Sequence, residues 1–310
     1  MSNMLPSLAE VAKGKGRLRG NLAERAIEVA LFLAAFSAVA ITFSIMALLI
    51  TESVGLFKTV SIVEFLTGTE WAPLFEPPRY GILPLVCGTV MTSIVALCVA
   101  IPMGTISALY LSEFASPRVR EIVKPGLELL SGIPTVVYGY FALIFVTPML
   151  QRFLLPNLPG FNMLSPGMVM GIMIIPLIAS VSEDAMRAVP RELREASYGT
   201  GATKLQTALQ VVFPAAASGV SSSYILAVSR AVGETMIVSV AAGLQPTLTL
   251  NPTEPAATIT AYIVQVSLGD LPHGSTEYQT IFAAGLMLAL VTLTFNVMGH
   301  FLSKRYRENY

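Results

Sequence analysis

The chain predicts an all-α polytopic membrane protein with six transmembrane helices, and three observations carry that expectation. Of its 310 residues, 54% are hydrophobic and only 12% charged, and mean hydropathy is +0.69, whereas a soluble domain is about 25% charged. Six stretches are apolar for long enough to cross about 30 Å of hydrocarbon. Fifteen of the nineteen Lys and Arg residues fall in the tails and alternate connections, on one side of the expected membrane.

The six stretches are Ile27–Ile50, Leu83–Leu111, Gly126–Leu150, Pro166–Ser182, Ser218–Ala242 and Tyr278–Leu302. The first follows Lys13, Lys15, Arg17, Arg19 and Arg25. Its apolar run exceeds the 7–15 residues of a signal-peptide core, so it reads as a retained span. The tail Met1–Gly20, with glycines among basic residues, reads as mobile and drawn to anionic lipid heads. The expected organisation is a basic tail over 1–26, a membrane domain over 27–302 with a charged loop at 183–214, and a second tail over 303–310.

Arg118, Arg120 and Lys124 occupy the second connection, Arg187, Arg191, Arg194 and Lys204 the fourth, and Lys304, Arg305 and Arg307 the C-terminal tail. The odd-numbered connections hold Lys58, Arg79 and Arg152 only. The positive-inside rule then places both termini and the even-numbered connections in the cytoplasm. On the other side, Thr51–Ile82 carries Trp71 and Tyr80 among prolines, as suits an interfacial segment. Gly243–Glu277, with four prolines and no Lys or Arg, reads as a cap or re-entrant element over the outward mouth.

Zero net charge argues against nucleic acid as a partner. Cys87 and Cys98 sit on one helix about 16 Å apart, too far for a disulfide. His273 and His300 have no metal-site spacing, so neither metal nor cofactor is expected. The spans offer no His/Cys cluster or paired carboxylates of the kind an intramembrane enzyme needs.

Two stretches carry the chemistry. In the loop, Pro190 suits the opening of a short helix, Glu192 and Glu195 favour its positive end, and Gly199 and Gly201 permit a tight turn. In the fifth span, a helix of 100° per residue sets Ala216, Gly219, Ser223, Ala227, Arg230 and Glu234 within about 80° of one another. That small, polar stripe suits close helix packing or the lining of a path. A central Arg costs about 2.5–3.5 kcal/mol to insert, and an i,i+4 pair returns only about 0.2–0.5 kcal/mol. The shortfall favours a watery cavity or an anionic substrate, because the Arg fork matches phosphate or carboxylate oxygens.

Glu195-Ala196-Ser197, three residues, Gly201, nine residues and Val211-x-Phe213-Pro214 resembles the Glu-Ala-Ala loop of ABC importer permeases. Ser197, Val211 and Phe213 depart mildly from the family's usual residues. Arg230-Ala231-Val232-Gly233-Glu234-Thr235-Met236 and Ser131-Gly132-Ile133-Pro134-Thr135-Val136-Val137-Tyr138-Gly139 resemble runs in phosphate importer permeases of the PstC type. The resemblance spans roughly residues 60–300. It implies the type I ABC importer permease architecture, with a coupling helix whose Glu195, Ala196, Gly201 and Ala202 meet a separate ATPase. It also implies Arg230, Glu234 and Ser223 along the substrate path, and a helix kinked at Pro134 and Gly139. The implied partners are a PstA-like second permease, two PstB-like ATP-binding subunits and a PstS-like external phosphate-binding protein, in a prokaryotic cell membrane. A sulfate or molybdate permease and a passive anion channel are the alternatives. The chain has no G-x-x-x-x-G-K-[ST] run to hold ATP.

Overall fold

The structure, a computed structural model, describes residues 8–305 except 270 and 273, with side chains described from 24 to 301. Side chains of the basic tail before residue 24 and of the 303–310 tail lie outside the described residues, as does His273. The chain forms two compact units, Met1–Thr51 and Glu52–Tyr310.

Helix α1 runs Leu8–Phe57, and its Glu24–Phe57 part is long and apolar enough to cross a membrane. Most of the tail expected to be mobile therefore continues this helix. Leu, Ala, Glu, Lys and Arg are strong helix formers and outweigh three glycines, each costing about 1 kcal/mol against Ala.

In the second unit, α2 (Ile62–Thr67) precedes a short antiparallel ribbon of β1 (Trp71–Ala72) and β2 (Arg79–Tyr80), in which Trp71 faces Tyr80. Trp71 is 3% exposed, and its ring packs edge-on against Phe65 and Tyr262. Those aromatics, with Ile82, Leu85 and Ile259, form one apolar core.

The membrane-length helices follow. α3 spans Leu83–Leu109 and ends in a π turn, Tyr110–Phe114. α4 (Pro117–Ser131) is a separate helix with no buried residue, so the third span does not begin at Gly126. Gly132 closes α4, and Pro134 in an extended conformation opens α5 (Thr135–Phe141); residues before proline avoid the α region. A π turn (Ala142–Val146) joins α5 to α6 (Thr147–Phe153), completing a Thr135–Phe153 span.

α7 (Leu164–Arg187) is longer than the expected Pro166–Ser182 and, by its hydropathic window, the most buried of the membrane-length helices. Short α8 (Arg191–Gly199) follows, then α9 (Lys204–Thr207), a π turn (Ala208–Val212) and α10 (Phe213–Ala215). α11 (Ala217–Val232) bends 72° from that preceding arm. α12 (Met236–Ala241), α13 (Ile259–Ser267) and α14 (Thr276–Arg305) complete the chain.

Among the described residues five helices are long and apolar enough to span alone, and the bent pair Lys204–Ala215 plus Ala217–Val232, taken as one span, makes a sixth. The expected fifth span, Ser218–Ala242, is thus replaced by a broken one that starts earlier and stops at Val232. Gly233 ends the helix there.

α7 is the centre of the bundle. On one side Gly171 lies so close to α3 that a Cβ would fall 2.6 Å from the Ala96 carbonyl oxygen. On the other, α11 runs antiparallel to α7: Gly219 meets Ala185, Ser223 meets Ser182 and Arg230 meets Met173. The small stripe read from the sequence therefore exists from Ala216 to Arg230, and in this chain it is a packing seam. Small side chains let membrane helices approach closely where burial from water offers no driving force.

Candidate functional site

Two arrangements stand out, one around α8 and one where α11 breaks. At α8, Glu195 and Ala196 are exposed. Gly201 adopts φ +88°, the left-handed region that a Cβ disfavours. Its N–H donates to the Tyr198 carbonyl, and that of Ala202 to the Ser197 carbonyl, 2.9 and 3.2 Å away. This pair of bonds is a Schellman C-cap, with Gly201 at the position where glycine is preferred. No atom lies within 4 Å of a Cβ built there, so the requirement is the backbone conformation and not space. Gly199, also expected at the turn, is the last helical residue. Thr203 then opens α9 with a reciprocal capping box to Gln206.

Sequence reasoning treated Arg194 only as one of the basic residues, yet it anchors α8. Its guanidinium donates to Glu113 on the π turn after α3 at 2.9 and 3.3 Å, and to the carbonyls of Val189 and Met186 at 2.6 and 2.8 Å. Four charge-assisted bonds and a largely buried carboxylate make a rigid joint. Glu183 was assigned to the loop but sits inside α7, fully buried. Lys124 of α4 reaches it at 2.9 Å and reaches Asp184 at 2.8 Å; Arg120 and Arg187 approach at 3.8 and 3.6 Å. Burial alone would lower the Lys124 pKa, but the bonds to Asp184 and Glu183 outweigh it and raise it. The one available signal for this clasp was the i,i+4 spacing of Glu183 and Arg187.

At the break, Arg230 and Glu234 do not share one continuous helix. Arg230 lies in the last turn of α11, where the helix dipole favours a cation. Its side chain is exposed in this chain, and its one hydrogen-bond contact among the described residues is to Met173 Sδ at 3.8 Å. Glu234 is 8% exposed and turns the other way. Its Oε1 accepts from the Met236 and Ile237 N–H groups at 3.1 and 3.4 Å, capping α12. Its carbonyl accepts from Thr260 Oγ1 at 2.7 Å, tying the break to α13. Among the described residues no ion pair joins Arg230 to Glu234.

Ser223 is fully buried, bonded to Ser182 Oγ at 2.8 Å and the Val220 carbonyl at 2.7 Å. It meets α7 nine residues from the Met173 contact of Arg230, about 13 Å along the axis. The two are therefore not brought together. Pro134 marks a break between helices and not a kink, while Gly139 lets α5 touch α12: a Cβ there would lie 3.2 Å from the Met236 carbonyl oxygen.

Comparison with known proteins accords with this geometry. Residues 100–308 match the family described as the binding-protein-dependent transport system inner membrane component. The probable ABC transporter permease protein YqgH of Bacillus subtilis is 35% identical over 250 residues, covering 81% of this chain and 80% of that one. The phosphate transport system permease protein PstC of Mesorhizobium japonicum is 32% identical over 262 residues, covering 78% of each. A solved bacterial ABC transporter that imports the acidic polysaccharide alginate shares the fold at 19% identity, with TM-score 0.65, covering 94% of this chain and 100% of that one. With the family model spanning residues 100–308 and relatives above 30% identity covered over most of their length, the chain belongs to the inner-membrane components of binding-protein-dependent transport systems, the ABC importer permeases.

Proposed function

We propose that this chain is a PstC-like permease subunit of an ATP-driven importer of inorganic phosphate. The observation that carries the reading is Arg230. A guanidinium at membrane depth with open donors and no carboxylate partner among the described residues is costly unless an anion or water meets it. Glu234 is occupied at the start of α12 and does not quench that charge. Relatives named as phosphate permeases support phosphate as the oxyanion.

In this reading both termini and α8 are cytoplasmic, and the exposed face bearing Arg230 meets a PstA-like second permease to form the path. Two PstB-like ATPases bind and hydrolyse ATP, because this chain carries no phosphate-binding loop. Glu195, Ala196, Gly201 and Ala202 shape the coupling helix that docks on one of them. A PstS-like protein delivers phosphate from outside. Closure of the ATPases pulls α8, and the Arg194–Glu113 joint passes that pull to α3 while the bent arm passes it to α11. Arg230 then gains or loses its access to each side.

The test is phosphate uptake in cells lacking their own permease. Arg230→Gln should cut uptake at least about tenfold, since one charge-assisted contact is worth about 1.5–3 kcal/mol. Full uptake by that variant would sink the reading. Excess sulfate or molybdate should leave wild-type uptake unchanged; competition by either would shift the assignment to that oxyanion.

A further inference from the structure

Beside α8, next to the Arg194–Glu113 joint and the Glu183 clasp, the structure gathers a cluster of cations. A cavity of about 400 Å³ opens among the π turn after α3, the start of α4, the end of α7 and α8. Four arginines line it, one or more from each of three elements: Arg120 on α4, Arg187 on α7, and Arg191 and Arg194 on α8.

These four are not equivalent. Arg194 has spent its donors on Glu113 and two carbonyls. Arg120 and Arg187 stand 3.8 and 3.6 Å from Glu183 Oε1, and that buried oxygen has no hydrogen-bond partner among the described residues. Their forks are drawn toward Glu183 without being consumed by it. Arg191 has no carboxylate within 4.0 Å among the described residues. Against them, Glu195 also lines the cavity, and Glu113 is held by Arg194 and Ser112. Counting Glu183 behind the wall, the group keeps a net positive charge, and among the described residues three of its guanidiniums make no hydrogen bond. Each guanidinium has five N–H donors in a planar fork, which oxyanions satisfy in pairs.

We propose that this cavity binds a phosphate-type oxyanion, which bridges Arg191 of α8 to Arg187 of α7 and Arg120 of α4. Such a bridge would fasten α8 to the membrane bundle at a second point, beside the Arg194–Glu113 joint. The anion is either free inorganic phosphate or the phosphodiester of an anionic lipid headgroup. The site is independent of Arg230 and of whatever the transporter carries.

Hydrogen–deuterium exchange on the assembled transporter tests this. In detergent, inorganic phosphate should slow exchange of amides 191–199 relative to chloride at equal ionic strength. Nanodiscs containing phosphatidylglycerol should do so without added phosphate if the headgroup is the source. Arg191→Gln and Arg187→Gln, both at well-exposed side chains, should keep the exchange pattern seen in chloride. Each should raise the phosphate needed for half-protection about tenfold. No protection in either setting overturns the site. Protection that survives both substitutions overturns it equally, because the anion would then be acting elsewhere.

Discussion

Arg194 and Arg230 are the same residue in two opposite situations. Arg194 makes four hydrogen bonds and faces a carboxylate that is 5% exposed. Arg230 has, among the described residues, one long contact to a thioether and stands exposed on the chain surface. A largely buried charge with four of its five donors used is committed to holding the fold. A charge kept in a membrane span with its donors open contributes little to this chain alone, so its reason must lie in something that arrives.

That contrast can be broken by substitution. Arg194→Met should have the largest effect on stability, about 3–5 kcal/mol, because it leaves Glu113 buried and unpaired. Thermal melting of the purified chain checks it, and a wild-type melting temperature would show the joint to be dispensable. Gly201→Ala should cost about 1–2 kcal/mol, since the left-handed backbone at φ +88° is strained for any residue with a Cβ. The same melt reads it, and the open space around the position removes any packing explanation. Ser223→Ala should cost about 1 kcal/mol by leaving Ser182 without its partner in the α7–α11 seam. Arg230→Gln should change stability by no more than about 0.5 kcal/mol while removing uptake. A large loss of stability there would merge the two arginines into one structural class and dissolve the comparison.

How far the sequence disclosed this arrangement depends on the range of the forces involved. The apolar runs, the charge asymmetry and the Gly201 turn were legible, because hydropathy and left-handed backbone leave marks within a few residues. The stripe on α11 was legible as a face, but its destination was not: both packing and a path want small residues. The break after Val232 escaped because Gly233 alone is weak as a stop signal, and the capping bonds from Glu234 run to residues after it. Arg194, Glu113 and Glu183 escaped for a different reason. Their partners are 81 and 59 residues away in the chain, and no local pattern encodes a contact at that separation.

The π turn at Tyr110–Phe114 has a geometric consequence for the whole joint. A π turn accommodates one residue more than an α turn, and one residue is a rotation of about 100° about the helix axis. Before it, α3 presents Ala96, Ala100, Gly104 and Ala108 as buried residues at a steady four-residue interval. After it, the phase is reset, and Glu113 swings into line with Arg194. The helix thus serves two partners along one rod, lipid-depth packing against α7 and a polar contact with α8, by changing its angular register between them. Drawn into an unbroken α-helix, the same residues would carry the Glu113 carboxylate about 100° further round the axis and away from α8.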